Sequence, residues 1–249
     1  MGLFGLFGSK EEREQGALKK LAKRVTERYG PPENRQKAMQ QLSDMGTPAS
    51  LRTLCLRFTI RAEPGITDDE EKETTRQMLV DEGGEAIGPI ESFVREEEEG
   101  VAWALRVLAE IAPAEKVLAV VIGELGRLGK IYTRDPEKKL VLLTWLREHH
   151  AGTSSADVEA ALLPLLEDFS DDVRISTTRA IVSVAPGERA RDALIQLLLR
   201  DRDNARVRGE VLDALASLGA DVKGHRPAVE ALLVEPFFLD REGRVKRRG

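Results

Sequence analysis

A single cysteine, Cys55, among 249 residues rules out an intrachain disulfide and gives no sign of an oxidising compartment. It lies in the apolar run Leu54-Cys55-Leu56, which reads as a buried, inert thiol. Aromatic residues make up only 4% of the chain, so a core must come from Leu, Ala, Val and Ile. That supply suits helix-on-helix packing better than a sandwich or barrel, whose strands favour aromatic and β-branched side chains. No apolar run approaches the ~20 residues that span a bilayer. Met1 to Gly8 is too short for the apolar region of a secretory signal. The expectation is therefore a cytoplasmic protein. A basic surplus is also missing: the net charge is −5 and the pI near 5.5, which argues against a dedicated nucleic-acid binder.

Catalytic and ligand-binding patterns are equally scarce. The three histidines are His149, His150 and His225. The first two are neighbours at a helix end, so they face different ways and suit the C-terminal helix dipole better than a metal. The loop from Gly126 to Gly129 has too few glycines for a phosphate cradle, and no strand precedes it. The acidic runs at Asp68 to Glu71 and Glu96 to Glu99 lack the spaced oxygen ligands and the bend glycine of a calcium loop. Both read as acids gathered at helix starts, where the dipole favours them. No metal, no cofactor and no enzymatic activity are expected.

What is present is a unit written twice. Asp172-Val173-Arg174 to Ile181 overlays Arg206-Val207-Arg208 to Leu215, with Val173 on Val207, Arg174 on Arg208, Ala180 on Ala214 and Ile181 on Leu215. The offset is 34 residues throughout, as Val207 minus Val173 shows. A fixed period in the 30s with a helical pattern inside it marks stacked helical pairs. The same alternation runs back along the chain. An N-terminal charged helix (10–30) ends at Gly30-Pro31-Pro32, and Thr47-Pro48 has the form of an N-cap and first helical residue. Taking Leu42, Leu79, Leu108, Leu146, Ile181 and Leu215 as equivalent gives steps of 37, 29, 38, 35 and 34, and about six helical pairs over 31–235. The fold class is all-α.

The stretch around Asp172-Val173-Arg174 and Asp203…Val207-Arg208, with Leu162-Leu163-Pro164-Leu165-Leu166 as a second-helix pattern, resembles HEAT-repeat proteins, in particular the HEAT-like repeats of phycobilisome lyases. The likeness is specific over residues 157–233 and degenerate over 33–150, where the Val-Arg pair is missing. It implies a right-handed α-solenoid in which each pair buries its remaining apolar stripe on a neighbour. It also implies a structural ladder between repeats through Asp172, Arg174, Asp203 and Arg208. Function implied this way is a non-enzymatic scaffold that binds a protein partner on the concave, second-helix surface, with nucleic acid disfavoured. Polar positions there are Arg52, Arg57, Glu124, Arg127, Arg191, Gln196 and Arg200. The family also contains enzymes, DNA glycosylases and bilin lyases, for which Trp103, Trp145 and Tyr132 would have to line a cleft. Both tryptophans instead fall on first-helix core stripes.

The two ends stand apart from the array. Residues 1–9 repeat Gly-Leu-Phe, and Leu3, Phe4, Leu6 and Phe7 read either as a membrane or partner anchor or as a cover over the array's end. Position 6 is Leu6, not the Ser or Thr of a myristoylation signal. At the other end, 236–249, Phe237-Phe238-Leu239 and a return through Val245 form a small hairpin over the last helix. A basic tail of Arg244, Lys246, Arg247 and Arg248 remains.

Overall fold

A computed structural model describes residues 10–153, 155–184 and 187–248. The residues of the Gly-Leu-Phe tip, Leu3, Phe4, Leu6 and Phe7, lie outside this set. Within it the fold is all-α apart from one short hairpin, and the chain forms two compact units, one ending at Val117 and the other starting at Leu118.

The first unit holds α1 (Lys10–Val25), α2 (Pro32–Met45), α3 (Pro48–Cys55), α4 (Gly65–Asp81), α5 (Ile87–Glu96) and α6 (Val101–Ile111). Single 3-10 turns extend α3 and precede α5. First helices α2, α4 and α6 pack in sequence, as do second helices α3 and α5. Local chemistry sets the breaks. Gly46 closes α2 at φ 55°, and Thr47 then caps α3 in a reciprocal box with Ser50, with Pro48 filling a position that needs no donor. Leu42, Leu51, Leu54, Leu79, Ile90 and Phe93 are fully buried, each worth about 1.5–3 kcal/mol relative to exposure. Cys55 is buried as expected, and burial pushes its thiol up to about 12.

The acidic runs do something other than serve a helix dipole. Asp68 and Glu71, one and two turns into α4, are almost fully buried and bind the fully buried guanidinium groups of Arg57 and Arg35. Arg35 reaches Glu71 through two N–H groups, at 2.8 and 3.1 Å. Glu96 and Glu97 close α5 rather than open α6, whose N-cap is Gly100 at φ 78°. Both accept from Arg52, at 3.0 and 2.6 Å. Counter-charges from other helices, not the local dipole, place these carboxylates.

The boundary falls within α7 (Ala114–Leu128), and the second unit continues through α8 (Glu137–His149), α9 (Ala156–Leu162), α10 (Asp171–Val184), α11 (Glu188–Arg200), α12 (Ala205–Ser217) and α13 (Arg226–Glu230). A 3-10 turn at Leu163–Glu167 carries Pro164 and prolongs α9. First helices α8, α10 and α12 pack side by side, and the second-helix segments beside them repeat the order. Residues paired by the 34-residue offset are buried alike: Val173 and Val207, Thr177 and Val211, Ile181 and Leu215 all have no exposed surface. The C-terminal hairpin forms from β1 (Phe237–Leu239) and β2 (Val245–Arg247), antiparallel with Phe238 opposite Lys246. β2 packs on α12, and Val245 is fully buried. The basic residues are thus not a tail: Arg247 binds Asp213 at 2.8 Å and lies over Phe237, while the backbone of Arg248 donates to Pro236.

The inter-repeat ladder exists with partly different members from those its resemblance suggests. Lys139, Arg174 and Arg208 hold equivalent places, 35 and then 34 residues apart. Each donates to a carbonyl of the loop before its own helix: Ile131, Asp168 and Arg202 respectively. Lys139 and Arg174 also reach an acid beyond the second helix, Asp168 at 2.5 Å and Asp201 at 2.8 Å. Asp203 is solvated, with Arg202 at 3.6 Å, and Asp172 instead pairs across helices with Arg206 at 2.6 Å. The buried rung needs a carboxylate that faces inward from the loop, which Asp168 and Asp201 provide and Asp203 does not.

Candidate interaction surface

Two loops of the second unit meet at one edge, and the buried Lys139 clamps them. Its ammonium, 1% exposed, donates to the carbonyl of Ile131 in the loop before α8 and to Oδ2 of Asp168 in the loop before α10, at 2.6 and 2.5 Å. Asp168 is fixed further by the Ser170 backbone N–H at 2.9 Å, and Arg174 holds the carbonyls of both Asp168 and Phe169. With both loops tied from below, Tyr132 and Phe169 meet edge to face with ring centroids 5.6 Å apart. They nonetheless stay 66% and 71% exposed, beside Ile131 at 60%. Exposed aromatic rings singly are unremarkable, but two in contact on a backbone pinned by buried charges present a rigid apolar anchor. Lys130 and Glu167, a pair at 2.8 Å, flank it, and the hydrogen bond from Lys130 holds the Glu167 carboxyl below its usual range.

The polar residues expected to face a partner divide into three groups. Arg57 and Glu124 are buried and cannot: Arg57 is consumed by Asp68 and Glu71, and Glu124 by Lys138 at 2.8 Å and Arg127 at 2.5 Å. Burial pushes the Glu124 carboxyl up, but the hydrogen bonds from Arg127 and Lys138 outweigh it and leave it below its usual range. Arg52 lies along α3 over the Phe93 ring, bound to Glu96 and Glu97. Arg127, Arg191, Gln196 and Arg200 reach solvent, but three of them are also engaged within the unit. Arg127 binds Glu124, Arg191 binds Asp192 and Asp221, and Arg200 donates to the Leu166 carbonyl at 2.6 Å. Helical periodicity places charges on a face but does not foresee which will find a counter-charge and turn inward.

A second surface feature lies on the first helices. A groove of about 500 Å³ runs across α8, α10 and α12, floored by Leu140 and Ile175 and edged by Arg147, Arg179 and Arg206.

The tryptophans differ from one another. Trp145 is 9% exposed and stacks on His149 at 3.9 Å, whose Nδ1 lies 3.1 Å from the Trp145 carbonyl at the end of α8. Next to it His150 is held below its usual range by burial and by the neighbouring His149. Trp103 is only half-buried and stacks on Phe58 with centroids 5.9 Å apart. Among the described residues, no group of three or more His, Cys, Asp or Glu side chains is placed to hold a metal ion, and no helix is long and apolar enough to cross a membrane.

Residues 159–244 match the family model described as HEAT repeats, so the stretch from α9 to the hairpin turn carries HEAT repeats. Among solved structures the chain is similar to human deoxyhypusine hydroxylase in complex with glycerol, at 16% identity, over 89% of this chain and 90% of that one, with a TM-score of 0.34. No curated protein matches the chain.

Proposed function

We propose that the protein is a non-enzymatic interaction scaffold built on HEAT repeats, and that Ile131, Tyr132 and Phe169 anchor a protein partner. The observation that supports this is the exposed aromatic pair held in place by a buried lysine and aspartate. Rigid aromatic side chains contribute large contact area at little entropic cost, which is why they dominate interface hot spots. A buried ion pair beneath an exposed apolar edge is costly to assemble for stability alone, since well-packed apolar residues would do as well. Its positioning of two loops is what a binding edge needs. A protein rather than a nucleic acid suits the net charge of −5.

The test is photo-crosslinking in native lysate from a benzophenone side chain placed at position 132 or 169, with position 29 as the exposed control. The expected result is one discrete protein adduct from both edge positions, absent from the control and lost when Phe169→Ser is combined with the probe at 132. Adducts identical to those of the control would defeat the proposal, as would none at all.

A further inference from the structure

The groove on α8, α10 and α12 lies where one repeat lacks a cross-helix pair that the next repeat has. Between α10 and α12, Arg179 donates to Glu210 at 2.6 Å across the helix pair. One repeat earlier, between α8 and α10, the equivalent places are Thr144 (35 before Arg179) and Ser176 (34 before Glu210). Two short hydroxyl side chains stand where the next repeat has a guanidinium and a carboxylate, and both line the groove. Neither hydroxyl makes a hydrogen bond among the described residues, although Thr177 and Thr178 on the same helix both bond back to the preceding turn. The floor is apolar, with Ile175 8% exposed.

The charges around this gap select its occupant. Arg147, Arg179 and Arg206 line the groove against Asp172 and Glu210, three cations to two anions, on a protein whose net charge is −5. Asp172 and Glu210 are already engaged by Arg206 and Arg179. Among the described residues Arg147 pairs only with the exposed neighbouring Glu148, at 3.2 Å, a contact worth little in water. A guanidinium carries five donors, so Arg179 keeps several after serving Glu210. The vacant position thus offers guanidinium N–H groups and two free hydroxyls above an aliphatic floor. A polyphosphate would meet the two lining carboxylates, and a cation would meet the arginines.

We infer that this groove binds an acidic peptide segment, one carboxylate being received by Arg147 and Arg179 beside Thr144 and Ser176, with an adjacent aliphatic side chain resting on Leu140 and Ile175. The carboxylate takes the place of the absent rung, and the volume of about 500 Å³ accommodates a few residues. The inference rests on the scaffold reading but not on the aromatic edge.

The test measures fluorescence anisotropy of the full chain with a labelled pool of acetylated pentapeptides. Glu is fixed at the centre and the flanks vary among Ala, Val and Leu; a matched pool carries Gln at the centre. The Glu pool is expected to bind at least tenfold more tightly than the Gln pool. Two variants are expected to lose at least tenfold of that binding: Arg147→Gln, and the double variant Thr144→Arg with Ser176→Glu, which restores the rung and fills the gap. Should the double variant not fold, Arg147→Gln decides alone, because its ion pair with Glu148 is exposed. Equal binding of the two pools, no binding of either, or unchanged binding by Arg147→Gln would overturn the inference. So would inorganic phosphate competing as well as the Glu pool. Loss of the groove's binding with crosslinks from position 132 intact would leave the scaffold reading standing, whereas loss of those crosslinks alone would not touch the groove.

Discussion

Neutralising Glu71 removes the centre of the buried charge cluster in the first unit. Its carboxylate receives Arg35 at 2.8 and 3.1 Å and Arg57 at 2.9 Å, and both guanidinium groups are wholly inaccessible. In Glu71→Gln, Arg57 keeps Asp68 at 2.6 Å, whereas Arg35 keeps only the Glu27 carbonyl at 3.3 Å. One buried cation is then without an anion, and the new amide turns two donors toward groups that can only donate. Breaking a buried pair in this way costs about 3–5 kcal/mol, against total stabilities of about 5–15 kcal/mol for a domain. Urea unfolding can isolate the effect, because Trp103 belongs to the first unit and Trp145 to the second. In a Trp145→Phe background the Trp103 signal should shift to lower urea by that amount with an unchanged m-value. Replacing Arg35, Arg57 and Glu71 together by Met, Met and Leu should recover most of the loss. A cost below about 1 kcal/mol for Glu71→Gln, the figure for an exposed pair, would refute the reasoning. Acid adds an independent check. Burial pushes the Asp68 carboxyl up, but hydrogen bonds from the Ala62 backbone, Lys72 and Arg57 outweigh it and leave it below its ordinary 3.8. A depressed pKa means stability that is complete above the unfolded value and lost as pH falls through the folded one. The Trp103 transition should therefore weaken below about pH 4, and less so in Asp68→Asn.

Three further outcomes are expected. Gly100→Ala should destabilise the first unit by more than the ~1–2 kcal/mol of a left-handed residue alone, since the new Cβ would lie 2.7 Å from Phe58 Cβ and 2.8 Å from its backbone; thermal unfolding followed at Trp103 measures it. Lys139→Ala should cost the second unit about 3–5 kcal/mol and release the two loops, which amide exchange at Ile131, Asp168 and Ser170, whose N–H groups are hydrogen-bonded, would report as lost protection. Cys55, buried and with its thiol pushed up to about 12, should be inert to a disulfide reagent in the native protein and react only at the rate of unfolding.

How much the sequence disclosed follows from the range of the forces concerned. Helices, their caps and the hairpin were legible because periodicity and turn chemistry act within a few residues, as Thr47-Pro48 and Gly243 show. The 34-residue repeat was legible for the same reason, each copy solving the same packing problem. Buried charge was not. Arg35 and Glu71 are 36 residues apart and Lys139 and Asp168 are 29 apart, so on a helical wheel each looks like an ordinary solvated residue. Arg57 and Glu124 were misplaced on the surface for this reason. The aromatic edge was missed because Tyr132 and Phe169 come from separate loops, although an aromatic residue directly after the inward-facing Asp168 was a usable signal. The Thr144–Ser176 gap shows only once the rung Arg179–Glu210 is known to be a contact.

The hairpin has a meaning for the growth of such arrays. A stack of like units presents at its last helix a surface shaped to receive another unit, and contacts of that head-to-tail kind build open filaments when nothing closes them. Here β2 lies on α12, and Arg247 meets Asp213 at a separation of 34 residues, the spacing at which Arg206 meets Asp172. The strand thus repeats that charge pairing and spacing with a ribbon two strands wide and three residues long. A chain cut before Pro236 would strip Val245 and Arg247 from α12 and leave Asp213 without that partner.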